Sequence, residues 1–178
     1  MISLFIFLSV FALSERDIPY KIHDSLQSPT SDFIFSGLSK SANREVLVAG
    51  VLLYAIMEGK DGISKAKPVV AGGALTALTV FSLKTITYRK RPTGGGGRQN
   101  SSFPSGHASA AFFIATYFSK MYPKYKIPLF VWATGVGISR LYLLRHWPSD
   151  VVAGSLIGII IGAKIFQYRE KIIEIKLW

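Results

Sequence analysis

Two histidines, one aspartate and three cations stand in this chain at intervals suited to handling a phosphate. His146 and Asp150 are four residues apart, with Pro148 between them suited to a first helical turn. A carboxylate at that spacing can keep one ring nitrogen protonated and leave the other free to act as a nucleophile. His107 is then available as a general acid for a departing alkoxide, while the third histidine, His23, lies outside the pattern. Lys84 and Arg91 are seven apart and would share a face on a continuing helix. Arg140 ends another apolar run. Three cations meeting at one place repel each other unless an anion sits among them, and phosphate is the natural candidate. Ser105 precedes a run of Ala and Phe and is expected to cap a helix. Gly106 and His107 would then offer free backbone N–H groups where the helix dipole also favours an anion. Gly106 in addition lets the backbone approach a ligand closely.

Each of these signals has a plainer meaning when taken alone. His and Asp at helical spacing often make a structural hydrogen bond, and a Lys or Arg at the end of an apolar run usually snorkels to an interface. Pro104-Ser105-Gly106 could be a turn plus a cap. Gly94 to Gly97 read as a flexible loop with no phosphate-loop lysine, and they are assigned no contact. Their joint occurrence carries the weight.

The elements that must position these residues are apolar. Six stretches stand out, at roughly 1–13, 46–57, 68–83, 108–119, 127–144 and 151–166. The chain is 178 residues long, 49% hydrophobic and only 17% charged, against about a quarter charged in a soluble domain. Most stretches fall short of the ~20 residues of a spanning helix, but uncharged flanks and snorkelling ends can make up the difference. The expectation is an all-α integral membrane bundle of about six transmembrane helices. Alternation of six spans puts 14–45, 84–107 and 145–150 on one side, so all three chemical clusters share a membrane face. The segments 58–67, 120–126 and 164–178 fall on the other. A raw count of Lys and Arg does not separate the sides. Setting aside the cations needed for chemistry tilts the lysine-rich loops toward the cytoplasm. The net charge of +11 fits acidic headgroups or phosphorylated substrates and not nucleic acid, because the Lys and Arg residues punctuate apolar runs. The absence of cysteine excludes disulfides and thiol chemistry.

Residues 1–13 match a signal-peptide core in length, but no positive charge precedes them and no clear cleavage site follows, so a retained first helix is expected. Residues 14–45 are either a connecting loop or partly an amphipathic surface helix with Phe33, Ile34 and Leu38 on its apolar face. Gly154, Gly158 and Gly162 recur every fourth residue and are expected to let a neighbouring helix approach closely. One domain is expected over 1–178: a first helix and surface segment over 1–45, a helical core over 46–166 and a cytoplasmic tail over 167–178.

In order and internal spacing the clusters match the signature of the type 2 phosphatidic acid phosphatase superfamily. Lys84 to Arg91-Pro92 resembles its Lys-x6-Arg-Pro motif, and Pro104 to His107 its Pro-Ser-Gly-His. Ser139-Arg140 through His146 to Asp150 resembles its Ser-Arg-x5-His-x3-Asp. The resemblance implies that Lys84, Arg91, Ser105, Gly106, His107 and Arg140 embrace the phosphate. It implies that His146 attacks it, forming a phosphohistidine, while Asp150 orients His146 and His107 protonates the leaving group. It further implies no metal and no cofactor, a lipid phosphate as substrate and no obligatory protein partner. The place implied is a bacterial inner membrane, with the site open to the periplasm or exterior. A lipid phosphotransferase would use the same residues. A vanadium haloperoxidase of the same superfamily would be soluble and much longer. A small transporter would scatter its charges at mid-span, whereas here they cluster at span ends. Phosphatidic acid, phosphatidylglycerophosphate, undecaprenyl diphosphate and a lipid A phosphate all remain candidates. The extra cations Arg89, Lys90, Arg98 and Arg145 lean toward a substrate with more than one negative group.

Overall fold

Long apolar runs closed by polar caps fold here as helices throughout. The computed structural model describes residues 15–95 and 100–175, and among them every regular element is helical. In chain order these are α1 (Ile18–Leu26), α2 (Pro29–Ser41), α3 (Arg44–Met57), α4 (Gly62–Thr87), α5 (Gly106–Met121), α6 (Lys126–Tyr142), α7 (Pro148–Gln167) and α8 (Arg169–Glu174). Short 3-10 turns precede α4 and α6. Five of the six apolar stretches thus fold as helices; α3, α4, α5 and α7 reach beyond their apolar runs, while α6 starts one residue early and ends at Tyr142, two short of its run. The first, 1–13, lies outside the described residues.

Helix α5 is the centre of the bundle. Its Ala108, Ala111, Phe113, Ala115 and Tyr117 are buried, packed by α4, α6 and α7. The closest approach is to α7. A Cβ on Gly154 would stand 2.5 Å from the Ser105 carbonyl oxygen, and one on Gly158 would stand 2.3 Å from that of Ser109. The four-residue glycine spacing therefore marks the seam where two backbones meet. On the outside the apolar surface is left bare. Leu52, Ile56, Leu78, Ile127, Val131 and Ile160 are all exposed. Such a surface is unfavourable in water and suits a hydrocarbon solvent. Two helical stretches, 59–87 and 148–167, are long and apolar enough to cross a bilayer unaided, with mean hydropathy 1.6 and 1.7. Helices α3, α5 and α6, with 14, 16 and 17 residues, are roughly 21–26 Å long and rely on their flanks.

Residues 18–41 form two helices and not a loop. Ser28 caps α2, accepting from the Ser31 N–H at 3.1 Å. The expected apolar face of α2 is divided. Leu38 packs against Gly135 of α6, while Phe33 is 82% exposed and Ile34 also faces outward. Both α1 and α2 pack on α6. His23 Nδ1 lies 2.9 Å from the Tyr142 carbonyl, and Tyr142 donates to Asp32 at 2.6 Å. At the opposite end of the bundle, Glu58 accepts from Lys65 and Tyr122, and Lys67 donates to the carbonyl of Ile175.

Candidate functional site

The three clusters meet at one end of the bundle, and backbone hydrogen bonds lock them together. The Ser105 N–H donates to the Asp150 carbonyl at 3.0 Å, joining the start of α5 to the start of α7. The Ser102 N–H donates to the Arg89 carbonyl at 2.8 Å, joining the segment before α5 to the one after α4. Ser105 caps α5 as expected, its Oγ accepting from the Ala108 N–H at 3.4 Å. Gly106 and His107 occupy the first turn, where backbone N–H groups have no intrahelical acceptor.

Lys84 and Arg91 arrive differently from the expectation. Helix α4 stops at Thr87, and Tyr88 turns into the left-handed region at φ 48°, so the two cations share no continuous helix face. Arg91 instead sits on a turn. Its N–H donates to the Gly95 carbonyl, and Gly94, at φ 81°, donates back to the Arg91 carbonyl. Lys84, Arg91 and Arg140 nevertheless lie within electrostatic reach of one another. Among the described residues none of the three is in an ion pair. Lys84 donates to the Ser101 carbonyl, Arg91 to Asn100 Oδ1 at 2.7 Å, and Arg140 to Ser39 Oγ. Arg140 Nε is buried with no partner among the described residues. Burial, reinforced by the neighbouring Arg145, lowers the Arg91 guanidinium from its ordinary value.

His146 is 2% exposed, in the turn between α6 and α7. Its Nδ1 lies 2.7 Å from the Ser102 carbonyl oxygen, which can only accept, so Nδ1 carries the proton and Nε2 the lone pair. Burial pushes this imidazole down to about 4, with Asp150 opposing part of the shift. The Asp150 carboxylate is 3.6 Å from Nδ1, too far for a hydrogen bond. Its Oδ2 accepts from the Trp147 N–H at 2.8 Å and its Oδ1 from Arg89 at 2.7 Å. Asp150 thus caps the turn that carries His146 and places negative charge beside the ring. The direct hold on the ring belongs to a backbone carbonyl, which no residue-type pattern could have revealed.

Arg89 also departs from the expectation. It is spent on Asp150, on Ser149 Oγ at 2.6 Å and on Glu15, which is 4% exposed. Glu15 also accepts from the Ser149 N–H at 3.1 Å. Arg89 is therefore not a spare cation for substrate. Lys90 and Arg145 are exposed, and Arg98 lies outside the described residues. His107 Nε2 meets Asn43 Oδ1 at 2.9 Å. Glu15, Ser39 and Asn43 were not legible as site residues, because only the packing of α1, α2 and the start of α3 over the site brings them there. Among the described residues no group of three or more His, Asp or Glu is arranged to hold a metal ion.

Comparison with known proteins adds two kinds of finding. A family model described as PAP2 superfamily matches residues 44–174. A lipid A 1-phosphatase of Porphyromonas gingivalis is 41% identical over 95 residues, which is 51% of this chain and 21% of that protein's own length. Among solved structures, Aquifex aeolicus LpxE superposes with a TM-score of 0.72 at 29% identity, over 84% of this chain and 93% of that one. The first transmembrane PAP2 type phosphatidylglycerolphosphate phosphatase from Bacillus subtilis superposes with a TM-score of 0.74 at 22% identity. That alignment covers 99% of this chain and 98% of the other.

Proposed function

The chain belongs to the PAP2 superfamily, and from that premise we propose that it removes phosphate from a membrane lipid through a phosphohistidine on His146. The observation that carries the reading is the gathering of Lys84, Arg91 and Arg140 at one end of a membrane bundle, with no carboxylate among the described residues paired to any of them. Such a cluster costs free energy through mutual repulsion, and a phosphate dianion offsets that cost with charge-assisted hydrogen bonds. The same charges stabilise the negative oxygens of the transition state, and the first-turn N–H groups of α5 add to them.

His146 attacks phosphorus through Nε2 while Nδ1–H remains on the Ser102 carbonyl. His107 gives a proton to the leaving oxygen, and water then opens the phosphohistidine. Asp150 steadies the positive charge that develops on the ring. Metal is not needed in this scheme, because the cationic side chains supply the electrostatic stabilisation.

A lipid substrate fits the surroundings of the site. An apolar cavity of about 270 Å³ is lined by residues that include Phe112, Gly137, Leu141, Val151 and Ser155, with Leu141 and Val151 directly following Arg140 and Asp150 in the chain. Its apolar lining suits an acyl or prenyl tail. Lys60, Lys65, Lys120, Lys124 and Lys164 cluster at or toward the opposite end, which supports a cytoplasmic location for that end and a site facing the periplasm or exterior. Lipid A phosphate, undecaprenyl diphosphate, phosphatidylglycerophosphate and phosphatidic acid are the substrates to test. Purified protein in detergent should release phosphate from at least one of them, and a denaturing alkaline quench should trap a phosphoenzyme that is stable in alkali, is lost on acidification and is absent from His146→Ala. Phosphate release without any such adduct on His146 would sink the scheme.

A further inference from the structure

Asn43 occupies the N-cap position of α3 and yet makes no side-chain hydrogen bond to that helix. Asn ranks among the best residues for that task. Here its side chain is turned elsewhere, with Oδ1 2.9 Å from His107 Nε2 across 64 residues of sequence. The junction that carries it is well anchored. Ser39 Oγ accepts from Arg140, Ser41 Oγ accepts from Trp132 Nε1 at 2.9 Å, and Ala42 is buried in the core.

We infer that Asn43 is a positioning residue that holds a proton on His107 Nε2 and so presents Nδ1 to the leaving oxygen. An amide oxygen only accepts, so the nitrogen facing it must carry hydrogen. The inference rests on the proposed role of His107 as general acid. As His146 Nε2 bonds to phosphorus, the bond from phosphorus to the lipid oxygen breaks and its electron pair stays on that oxygen. The proton on His107 Nδ1 moves to the same oxygen. His107 is left neutral, its remaining proton still on Nε2 and still donated to Asn43. The water that opens the phosphohistidine returns a proton to Nδ1. Without Asn43 either nitrogen can keep the last proton, and the ring is no longer fixed in the orientation that delivers it.

The test compares two leaving groups. A lipid alkoxide needs a proton as it departs, whereas p-nitrophenolate departs without one. Asn43→Ala should lower kcat on the lipid substrate by about 10–100-fold with KM within about 2-fold, while p-nitrophenyl phosphate hydrolysis falls by no more than about 3-fold. Asn43→Asp keeps an acceptor and should retain most of the lipid activity, with the alkaline limb of its pH profile moved upward. Equal losses on both substrates in Asn43→Ala, or an Asn43→Asp variant as impaired as Asn43→Ala, would overturn the inference. A second measurement does not depend on turnover. ¹⁵N-histidine NMR of the protein in detergent, assigned with His107→Gln and recorded at a pH alkaline enough to remove the second proton of the ring, should show the neutral ring of His107 as the Nε2–H tautomer in the native chain and as a mixture in Asn43→Ala. An unchanged tautomer in that variant overturns the positioning role. A native protein that releases phosphate from none of the four lipids overturns the proposed function instead.

Discussion

The ring of His146 is held by the backbone of Ser102, whose carbonyl oxygen lies 2.7 Å from Nδ1. Asp150, at 3.6 Å, contributes charge without a hydrogen bond to the ring. A carboxylate that fixes a catalytic histidine directly is irreplaceable by its amide, because the amide permits the wrong tautomer. Here the carbonyl fixes the tautomer on its own. Asp150→Asn should therefore keep the Nδ1–H form of His146, readable by ¹⁵N NMR, and lower kcat by about 10–100-fold through the lost charge and the loss of one of the two acceptors that serve Trp147 N–H and Arg89. A tautomer switch in that variant would show that the carbonyl does not hold the ring.

The burial of His146 makes stability depend on pH. An ordinary imidazole titrates near 6.5, whereas burial pushes His146 down to about 4. Between those values the unfolded chain takes up a proton that the folded ring refuses. The stability contribution is thus complete above about pH 6.5 and is lost as pH falls toward about 4, at up to ~1.4 kcal/mol per pH unit. Throughout that window the ring stays neutral and able to attack. Thermal unfolding in detergent should show Tm falling from pH 7 to 5, with a shallower fall in His146→Asn. Parallel slopes for the two proteins would contradict the assignment.

Arg89 and Arg145 should separate two effects that the sequence presents as one. Arg89 is bound to Glu15, Ser149 and Asp150, whereas Arg145 is exposed and acts on Arg91 and Arg140. Of these two arginines, Arg145 is the one placed to meet a second phosphoryl group. Arg145→Ala should lower kcat/KM for a lipid diphosphate about 3–10-fold more than for a monophosphate. Arg89→Ala should lower both alike, because it loosens Asp150. Selective loss of the diphosphate in Arg89→Ala would reverse these roles.

The contrast between these arginines shows how far the sequence could be read. Spacing alone reveals that Lys84, Arg91, His107, Arg140, His146 and Asp150 belong together, because each motif is local and borders an apolar run. The Ser105 cap and the glycine seam of α7 are legible for the same reason. The break at Tyr88 is not, since a left-handed tyrosine has no strong local signal. Glu15 and Asn43 reach the site across 74 and 64 residues, through packing of α1, α2 and the start of α3 that periodicity does not encode. The Ser102 carbonyl is backbone and leaves no mark in residue type.

The glycine seam gives a prediction about packing with its own control. A Cβ on Gly158 would stand 2.3 Å from the Ser109 carbonyl oxygen and 2.7 Å from the Phe113 nitrogen, both backbone atoms of α5 that no rotamer change can move. A Cβ on Gly73 would meet nothing within 4 Å. Gly158→Ala must push α5 and α7 apart, at a cost of about 1–3 kcal/mol. It should also disturb the contact of Ser105 with Asp150 at the site end of the same helices. Gly73→Ala should be neutral or slightly stabilising, since Ala is the better helix former. The expected result is a lower Tm together with reduced turnover for Gly158→Ala, and neither change for Gly73→Ala. Equal Tm values for the two variants would mean that α5 and α7 do not meet as closely as the described seam requires.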